Sequence, residues 1–451
     1  MIEIIEQINS QINSFVWGPV MLALMGGVGI YFTLRTRFFQ IGRAKDVTKN
    51  TLGSLKRKKV KRDKNSISPF QAMTTALAGT LGTGNIIGVA TAIVAGGPGA
   101  VFWMWVSAFF GMMTKYAEVL LSIKYREKSK EGFYVGGPMY YIQNGLNKKW
   151  LAVLFSITCI LASFGIGNLT QTNSISAAMQ NTFSVPPIVS GIVCAIVIAI
   201  IIIGGVKRIA QMTEKIVPFM GILYVIGAIV AVAMSYKAIP EAFSLIFRYA
   251  FNLRAAAGGA SGYVLARAFH YGFSRGVFSN EAGLGSAPIA HAAADTDSPV
   301  KQGMWGIFEV FADTIVMCTL TTLVILTSGL WDSGLNGIAL TSAAFYRCFG
   351  DGSVYFIAIS TVFFAVASIV CWSYYGERCI EYVFKGRRAI MIYRVLFVAL
   401  VIVGATTGLN LVWEISDTLN GIMAIPNIIA LIALSPVVIK LTKEYAGKKH
   451  P

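Results

Sequence analysis

Apolar segments long enough to cross a lipid bilayer recur from end to end of this 451-residue chain. A helix needs roughly 20 residues to span the hydrocarbon layer, and every backbone amide within that layer must find its partner inside the protein. Those two demands leave a helical bundle as the available architecture. Hydropathy read together with the basic loops places spans at 16–34, 68–97, 100–123, 150–180, 188–206, 213–236, 258–292, 303–330, 354–380, 390–408 and 413–441. The predicted fold class is therefore an all-α integral membrane protein with about 11 transmembrane helices. Composition agrees, with 13% charged residues and a mean hydropathy of +0.65, against roughly 25% charged in soluble domains. The opening MIEIIEQINSQINSF is acidic and has no early apolar core, unlike a secretory leader, so the first span is expected to be retained.

A net charge of +17 raises nucleic acid as a partner, and the placement of the charges decides against it. Between Arg35 and Lys64 stand twelve Lys or Arg against two Asp, with no aromatic platform interleaved for stacking bases. That pattern is the positive-inside signature of a cytoplasmic loop. If 35–64 is cytoplasmic, the N-terminus lies outside. The loop 124–149, the turn at Lys207-Arg208, the loop with Lys385, Arg387 and Arg388, and the tail with Lys440 and Lys443 then all fall inside. Arg248, Arg254 and Arg347, in the longer outer loops, are exceptions that weaken the rule without reversing it. The lipid bilayer is the expected partner, and the C-terminus is expected in the cytoplasm.

Six cysteines, at 159, 194, 318, 348, 371 and 379, form no CxxC, and His270, His291 and His450 are too scattered for a metal motif. Neither disulfides nor a metal cofactor is expected.

The chain is read as one membrane unit in three parts: an extra N-terminal helix with its basic loop (1–66), a first five-helix repeat (67–240) and a second (241–451). Five is odd, so the second set crosses in the opposite sense to the first, as in inverted-repeat transporters. The first helix of each repeat is interrupted. Gly79-Thr80-Leu81-Gly82-Thr83-Gly84-Asn85-Ile86-Ile87-Gly88 breaks one, and Phe278-Ser279-Asn280-Glu281-Ala282-Gly283-Leu284-Gly285-Ser286-Ala287-Pro288 breaks the other.

Each interior glycine costs about 1 kcal/mol of helix stability relative to alanine, and unpaired backbone costs several kcal/mol per group in hydrocarbon. Such stretches persist where they line a polar cavity, offering amides to a carboxylate and carbonyls to a small cation. Close packing through small residues, as Gly84 and Gly88 would permit, is the plain alternative. Asn85, Ser279, Asn280, Glu281 and Pro288 go beyond what packing requires, and the paired placement favours a site. A nucleotide loop is excluded because GTGNIIG is not GxGxxG and no GK[ST] follows.

Asn168, Thr170, Gln171, Thr172 and Asn173 form a second polar cluster at membrane depth, after Phe164-Gly165-Ile166-Gly167. Thr361, Ser368 and Trp372 share one helix face. Glu118 near Lys115, and Glu377 beside Arg378, are expected to form ion pairs at the membrane interface. Glu309 and Asp313, four apart on one face, are candidates for a proton path or a cation. Arg267, His270 and Arg275 are expected to line a wet outer half.

Phe15-Val16-Trp17-Gly18-Pro19, Ala78 through Ala90, Gly96-Gly97-Pro98-Gly99-Ala100, Lys115-Tyr116-Ala117-Glu118, Gly136-Gly137-Pro138-Met139-Tyr140-Tyr141 and Arg275 through Ala290 together resemble the alanine or glycine:cation symporter family over almost the whole chain. The resemblance implies a leucine-transporter-type fold, with ten core helices in two inverted repeats after one extra helix. It implies sodium-coupled uptake of alanine, and often glycine, across a plasma membrane. By that similarity Thr83, Gly84 and Asn85 hold the substrate carboxylate. Gln171, Phe278 and Trp372 surround the amino group and methyl. Sodium, the coupling ion, sits between carbonyls of Ala78 and Leu81 and the face carrying Ala365 and Ser368. Proton coupling or a broader amino-acid range is the nearest alternative. A channel lacks a TVGYG-like filter here, and an embedded enzyme lacks a catalytic cluster, so no enzyme activity is expected.

The orientation is directly testable. In a background without the native cysteines, Val60→Cys should resist an impermeant thiol reagent applied to intact cells and react once the membrane is opened; labelling from outside would reverse the assignment.

Overall fold

The computed structural model describes residues 2–56, 66–129, 132–251, 260–407 and 410–448. The basic stretch 57–65, Lys130, Arg254, Lys449 and His450 lie outside the described residues. Helix dominates, with one two-stranded ribbon, β1 (Glu127–Lys128) and β2 (Tyr134–Val135), paired antiparallel.

In chain order the helices are α1 (Ile2–Val16), α2 (Pro19–Arg35), α3 (Pro69–Thr80), α4 (Ile87–Gly96), α5 (Ala100–Lys124) and α6 (Pro138–Leu146). Next come α7 (Lys149–Phe183), α8 (Pro187–Ile203), α9 (Gly205–Met234), α10 (Ile239–Ala250), α11 (Ala260–Asn280) and α12 (Ala287–His291). The remainder are α13 (Pro299–Thr327), α14 (Gly337–Phe349), α15 (Gly352–Phe384), α16 (Arg387–Thr406), α17 (Asn410–Ala433) and α18 (Ser435–Gly447). Two short helical turns, Phe39–Gly42 and Ala44–Asn50, follow α2.

Among the described residues, eight helical segments are long and apolar enough to cross a membrane. The other three expected spans fall on α8, which has 17 residues, and on the two interrupted segments. The span expected at 68–97 is two helices, α3 and α4, and that at 258–292 is α11 and α12. Both interruptions therefore occur where the glycine patterns place them.

Local chemistry sets the ends of these pieces. Ser68 caps α3 with a capping box: its hydroxyl accepts from Gln71 N at 3.0 Å, and Gln71 Oε1 accepts from Ser68 N at 2.9 Å, with Pro69 in the first turn. At the second interruption Glu281, Gly283 and Gly285 have φ of 56, 96 and 85°, the left-handed region that glycine adopts without steric cost.

Several elements escape a search for long apolar runs. The N-terminal helix α1 presents Ile4, Ile8, Ile12 and Phe15 outward while Asn9 is buried. The connections also hold α6, α10 and α14. Lys207 and Arg208 begin α9 instead of forming a turn, because the chain reverses earlier, at Gly204 and Gly205. The last expected span divides at Ser435-Pro436.

Helix α5 runs through the centre, buried along most of its length, with α11 and α13 packed along it. The approach of α11 requires small residues: a Cβ at Gly272 would lie 2.1 Å from Ala100 O, and one at Gly276 2.1 Å from Ser107 Oγ. Gly221 on α9 has nothing within 4 Å of its Cβ position. Gly272→Ala should therefore cost about 1–3 kcal/mol through overpacking, lowering the thermal midpoint of the purified protein in detergent, whereas Gly221→Ala should leave it unchanged; equal midpoints for the two variants would contradict this packing.

Candidate functional site

The first interruption is held open by side chains from distant helices. Ser368 on α15 donates to Ala78 O at 2.9 Å, and Thr341 on α14 donates to Ile86 O at 2.9 Å. These hydroxyls replace helical partners lost where α3 stops and α4 begins. Gly82 lies directly against Ser368, since a Cβ there would sit 2.7 Å from Ser368 Oγ.

A cavity of about 310 Å³ opens on this break. Thr83, Gly84, Ile87, Gly88 and Thr91 supply one wall. Ile166 and Gln171 from α7, with Arg275 and Phe278 from α11, supply the other. Thr83 Oγ1 donates to Gln171 Oε1 at 3.2 Å, tying the walls together. Gln171 is oriented by a wide turn in α7 at Gly165–Leu169, where its Nε2 donates to Ile166 O at 3.2 Å. Wide turns of this kind leave a carbonyl without its usual helical partner.

A second chamber of about 360 Å³ adjoins the first, sharing Arg275 and Phe278. Its lining includes Asn13 and Trp17 from the N-terminal region, His270, and Glu414 and Asp417 from α17. Arg275 Nη1 stands 3.9 Å from Asp417 Oδ1, and its guanidinium lies 5.4 Å from the Phe278 ring centroid. Arg275 and His270 thus line a chamber; Arg267 packs over Tyr271, 5.7 Å from the ring centroid.

Of the sequence-derived site residues, Thr83, Gly84, Gln171 and Phe278 meet at the first cavity. Ala78 and Ser368 are in contact, Leu81 is buried at the end of α3, and Ala365 is buried one turn before Ser368. Asn85 and Trp372 stand behind the wall. Asn85 Nδ2 donates to Asp313 Oδ1 at 2.7 Å and to Ser279 Oγ at 3.2 Å. Trp372 packs on Gly167, where a Cβ would lie 2.3 Å from the tryptophan Cβ, and edge-on to Tyr375.

Much of the polar cluster after Gly167 is structural. Asn168 donates to Phe397 O at 2.7 Å, Ser176 to Ala405 O at 2.8 Å, and Asn173 to Thr407 O at 3.1 Å, fastening α7 to α16. Glu377 pairs with Arg378, as expected, and also with Arg394, each at 2.7 Å.

One acidic expectation needs correction. Glu118 makes no interfacial pair with Lys115: it is fully buried, and its Oε1 accepts from Gly283 N and Gly285 N, each at 3.1 Å. Lys115 instead pairs with Glu309 at 3.3 Å, and Glu309 also meets His291 Nε2 at 3.0 Å. Glu309 and Asp313 have different hydrogen-bond partners, and Asp313 lies within a wide turn at Phe311–Cys318. Asp313 faces Asn85, Ser279 and Thr314, all neutral donors. A sequence scan misses the partners of Glu118, Lys115 and Asn85 because they lie about 160 to 310 residues away.

Two broken helices, a cavity at one break and a bundle of long apolar helices define a multi-pass membrane transporter. The fold matches solved transporters: MhsT, solved with L-phenylalanine, at a TM-score of 0.59 and 15% identity over 85% of this chain and all of that one. A manganese transporter of Eremococcus coleocola aligns at 0.53 and 12% identity over 83% of this chain and 78% of that one. This is the leucine-transporter-type fold. The sodium:alanine symporter family model matches residues 2–451, and the chain belongs to that family. It is 48% identical to the sodium/alanine symporter AgcS of Methanococcus maripaludis, with 96% of each chain covered. It is 39% identical to the amino-acid carrier protein AlsT of Bacillus subtilis, covering 98% of this chain and 93% of that one. The chain is a transporter and not an enzyme.

Proposed function

We propose that this protein imports small neutral amino acids, alanine and glycine, across the plasma membrane by alternating access, driven by sodium. The observation that carries the reading is the cavity of about 310 Å³ at the first break, walled by Thr83, Gly84, Gln171 and Phe278. A water molecule occupies about 30 Å³ in the liquid, so this space suits a small zwitterion with a few waters. The carboxylate is held at the break by Thr83 and Gly84, with Asn85 fixing the turn from behind. Gln171 and Phe278 face the amino group and methyl, and Trp372 sets how closely α7 approaches through Gly167.

Sodium is assigned to the neighbouring carbonyls of Ala78 and Leu81 and the face of α15 bearing Ala365 and Ser368. This position touches the same turn that holds the carboxylate, and a cation there stabilises the arrangement the substrate needs, which is what couples two ligands. In this reading 67–240 and 241–451 are inverted repeats, the N-terminus and the chamber of Arg275 and Asp417 are outside, and the C-terminus is inside. Proton coupling is the second reading. It is favoured by Asp313, a carboxylate buried among neutral donors.

Proteoliposomes separate the two. With an inward sodium gradient, labelled alanine should accumulate, and potassium or choline in place of sodium should abolish accumulation; uptake driven by a pH gradient without sodium would favour Asp313 and a proton. The cavity is tested by Gly88→Val, since a Cβ at Gly88 meets nothing within 4 Å and the branched side chain would project into substrate space. Alanine affinity by calorimetry should fall at least tenfold while the thermal midpoint holds; wild-type affinity would place the substrate elsewhere.

A further inference from the structure

The turn between α11 and α12 has the geometry of an anion site that is already filled from within. Alternating left-handed residues at Glu281, Gly283 and Gly285 direct successive N–H groups toward one side, the concave arrangement that binds anions. Gly283 N and Gly285 N converge on a single oxygen, Glu118 Oε1, at 3.1 Å each. Asn427 Nδ2 adds a third donor to that oxygen at 2.6 Å. The amide of Asn427 is fixed in turn: its Nδ2 also donates to Gly283 O at 2.9 Å, and its Oδ1 accepts from the Tyr141 hydroxyl. The second oxygen, Glu118 Oε2, is buried without a hydrogen-bond partner.

Glu118 belongs to a stripe along α5. Lys115, Glu118, Ser122 and Arg126 are spaced three, four and four residues apart, so they continue one face to the helix end and just beyond. All four engage the segment around α12. Lys115 reaches Glu309, which holds His291. Ser122 Oγ donates to Pro288 O at 2.7 Å. Arg126 donates to Ala292 O at 3.1 Å, to Ala294 O and to Thr296 O at 2.9 Å. The first break is tied differently: its helix α3 is held to α9 through Gln71 and Glu214 at 2.7 Å and through Thr75 and Thr213 at 3.0 Å.

We propose that Glu118 is a positioning residue: its carboxylate occupies the anion-binding turn of the second break in place of a substrate carboxylate, and locks that break to α5. The two broken helices then have different tasks. The first presents its turn to the amino acid, while the second is a closed joint carried with α5. This inference deepens the proposed function and rests on it for the meaning of the joint, but the occupancy of the turn can be measured without transport.

Glu118→Ala removes the anion, and formate can replace it. In purified wild-type protein, hydrogen exchange of the amides at 282–286 should be slow. In Glu118→Ala it should rise at least tenfold and slow again with sodium formate, but not with sodium methanesulfonate, which is too large for the turn. Alanine affinity should stay within about threefold of wild type while the transport rate in proteoliposomes falls at least tenfold and partly recovers with formate. Glu118→Gln, which keeps the shape without the charge, carries the same test if the alanine variant does not fold, with faster exchange and a slower rate at retained affinity. Wild-type exchange at 282–286 in either folded variant, or loss of affinity that matches the loss of rate, overturns the proposal. A wild-type protein that fails to take up alanine while exchange responds as described would count against the function and leave the assignment of Glu118 standing.

Discussion

The structure depends on one constraint: backbone interrupted within a membrane-spanning bundle must be satisfied by something other than its own helix. At the first break the partners are hydroxyls, Ser368 on Ala78 O and Thr341 on Ile86 O. At the second they include charged and amide groups, Glu118 on two N–H groups and Asn427 on Gly283 O. A neutral hydroxyl is a weaker partner than a carboxylate, whose hydrogen bonds are roughly twice as strong. The first break is thus held by neutral hydroxyls and borders a cavity, while the second is held by a carboxylate. The asymmetry between two similar-looking glycine stretches comes from the side chains that neighbouring helices bring to them.

The two wide turns extend the same logic. The one in α7 frees the Ile166 carbonyl, which Gln171 and Thr170 then satisfy, and the need to do so fixes the side chain that lines the cavity. The one in α13 turns Asp313 away from Glu309 and toward Asn85 and Ser279, one from each broken segment. Asp313 therefore bridges the two breaks directly, through a residue two positions from Thr83 and another next to Phe278.

The bundle and the two interruptions were legible in the sequence, and four of the six residues the resemblance assigns to the substrate line one cavity. Length and hydropathy report on the bilayer, and glycine clusters within apolar runs report on backbone that cannot be helical. What stayed hidden is long-range pairing. Glu118 stands three residues from Lys115 in sequence, which suggested an ion pair, yet the two side chains diverge to the second break and to Glu309. Asn85 reads as a ligand because it ends a glycine loop, and only the position of Asp313 shows that its amide points behind the wall. The polar run at 168–173 reads as a cavity lining, but the carbonyls of α16 claim Asn168 and Asn173. The short helices α1, α10 and α14 are invisible to a search tuned to spans of about 20 residues.

The central claim is that a cation and an amino acid occupy adjoining positions at the first break and stabilise each other. Linkage requires that if sodium tightens alanine binding, alanine tightens sodium binding by the same factor. Calorimetric titration of purified wild-type protein with alanine, repeated across a series of sodium concentrations at constant ionic strength in choline, tests this most directly. The account predicts that the alanine Kd falls as sodium rises and that potassium cannot substitute. An alanine Kd that is the same in sodium, potassium and choline would contradict it.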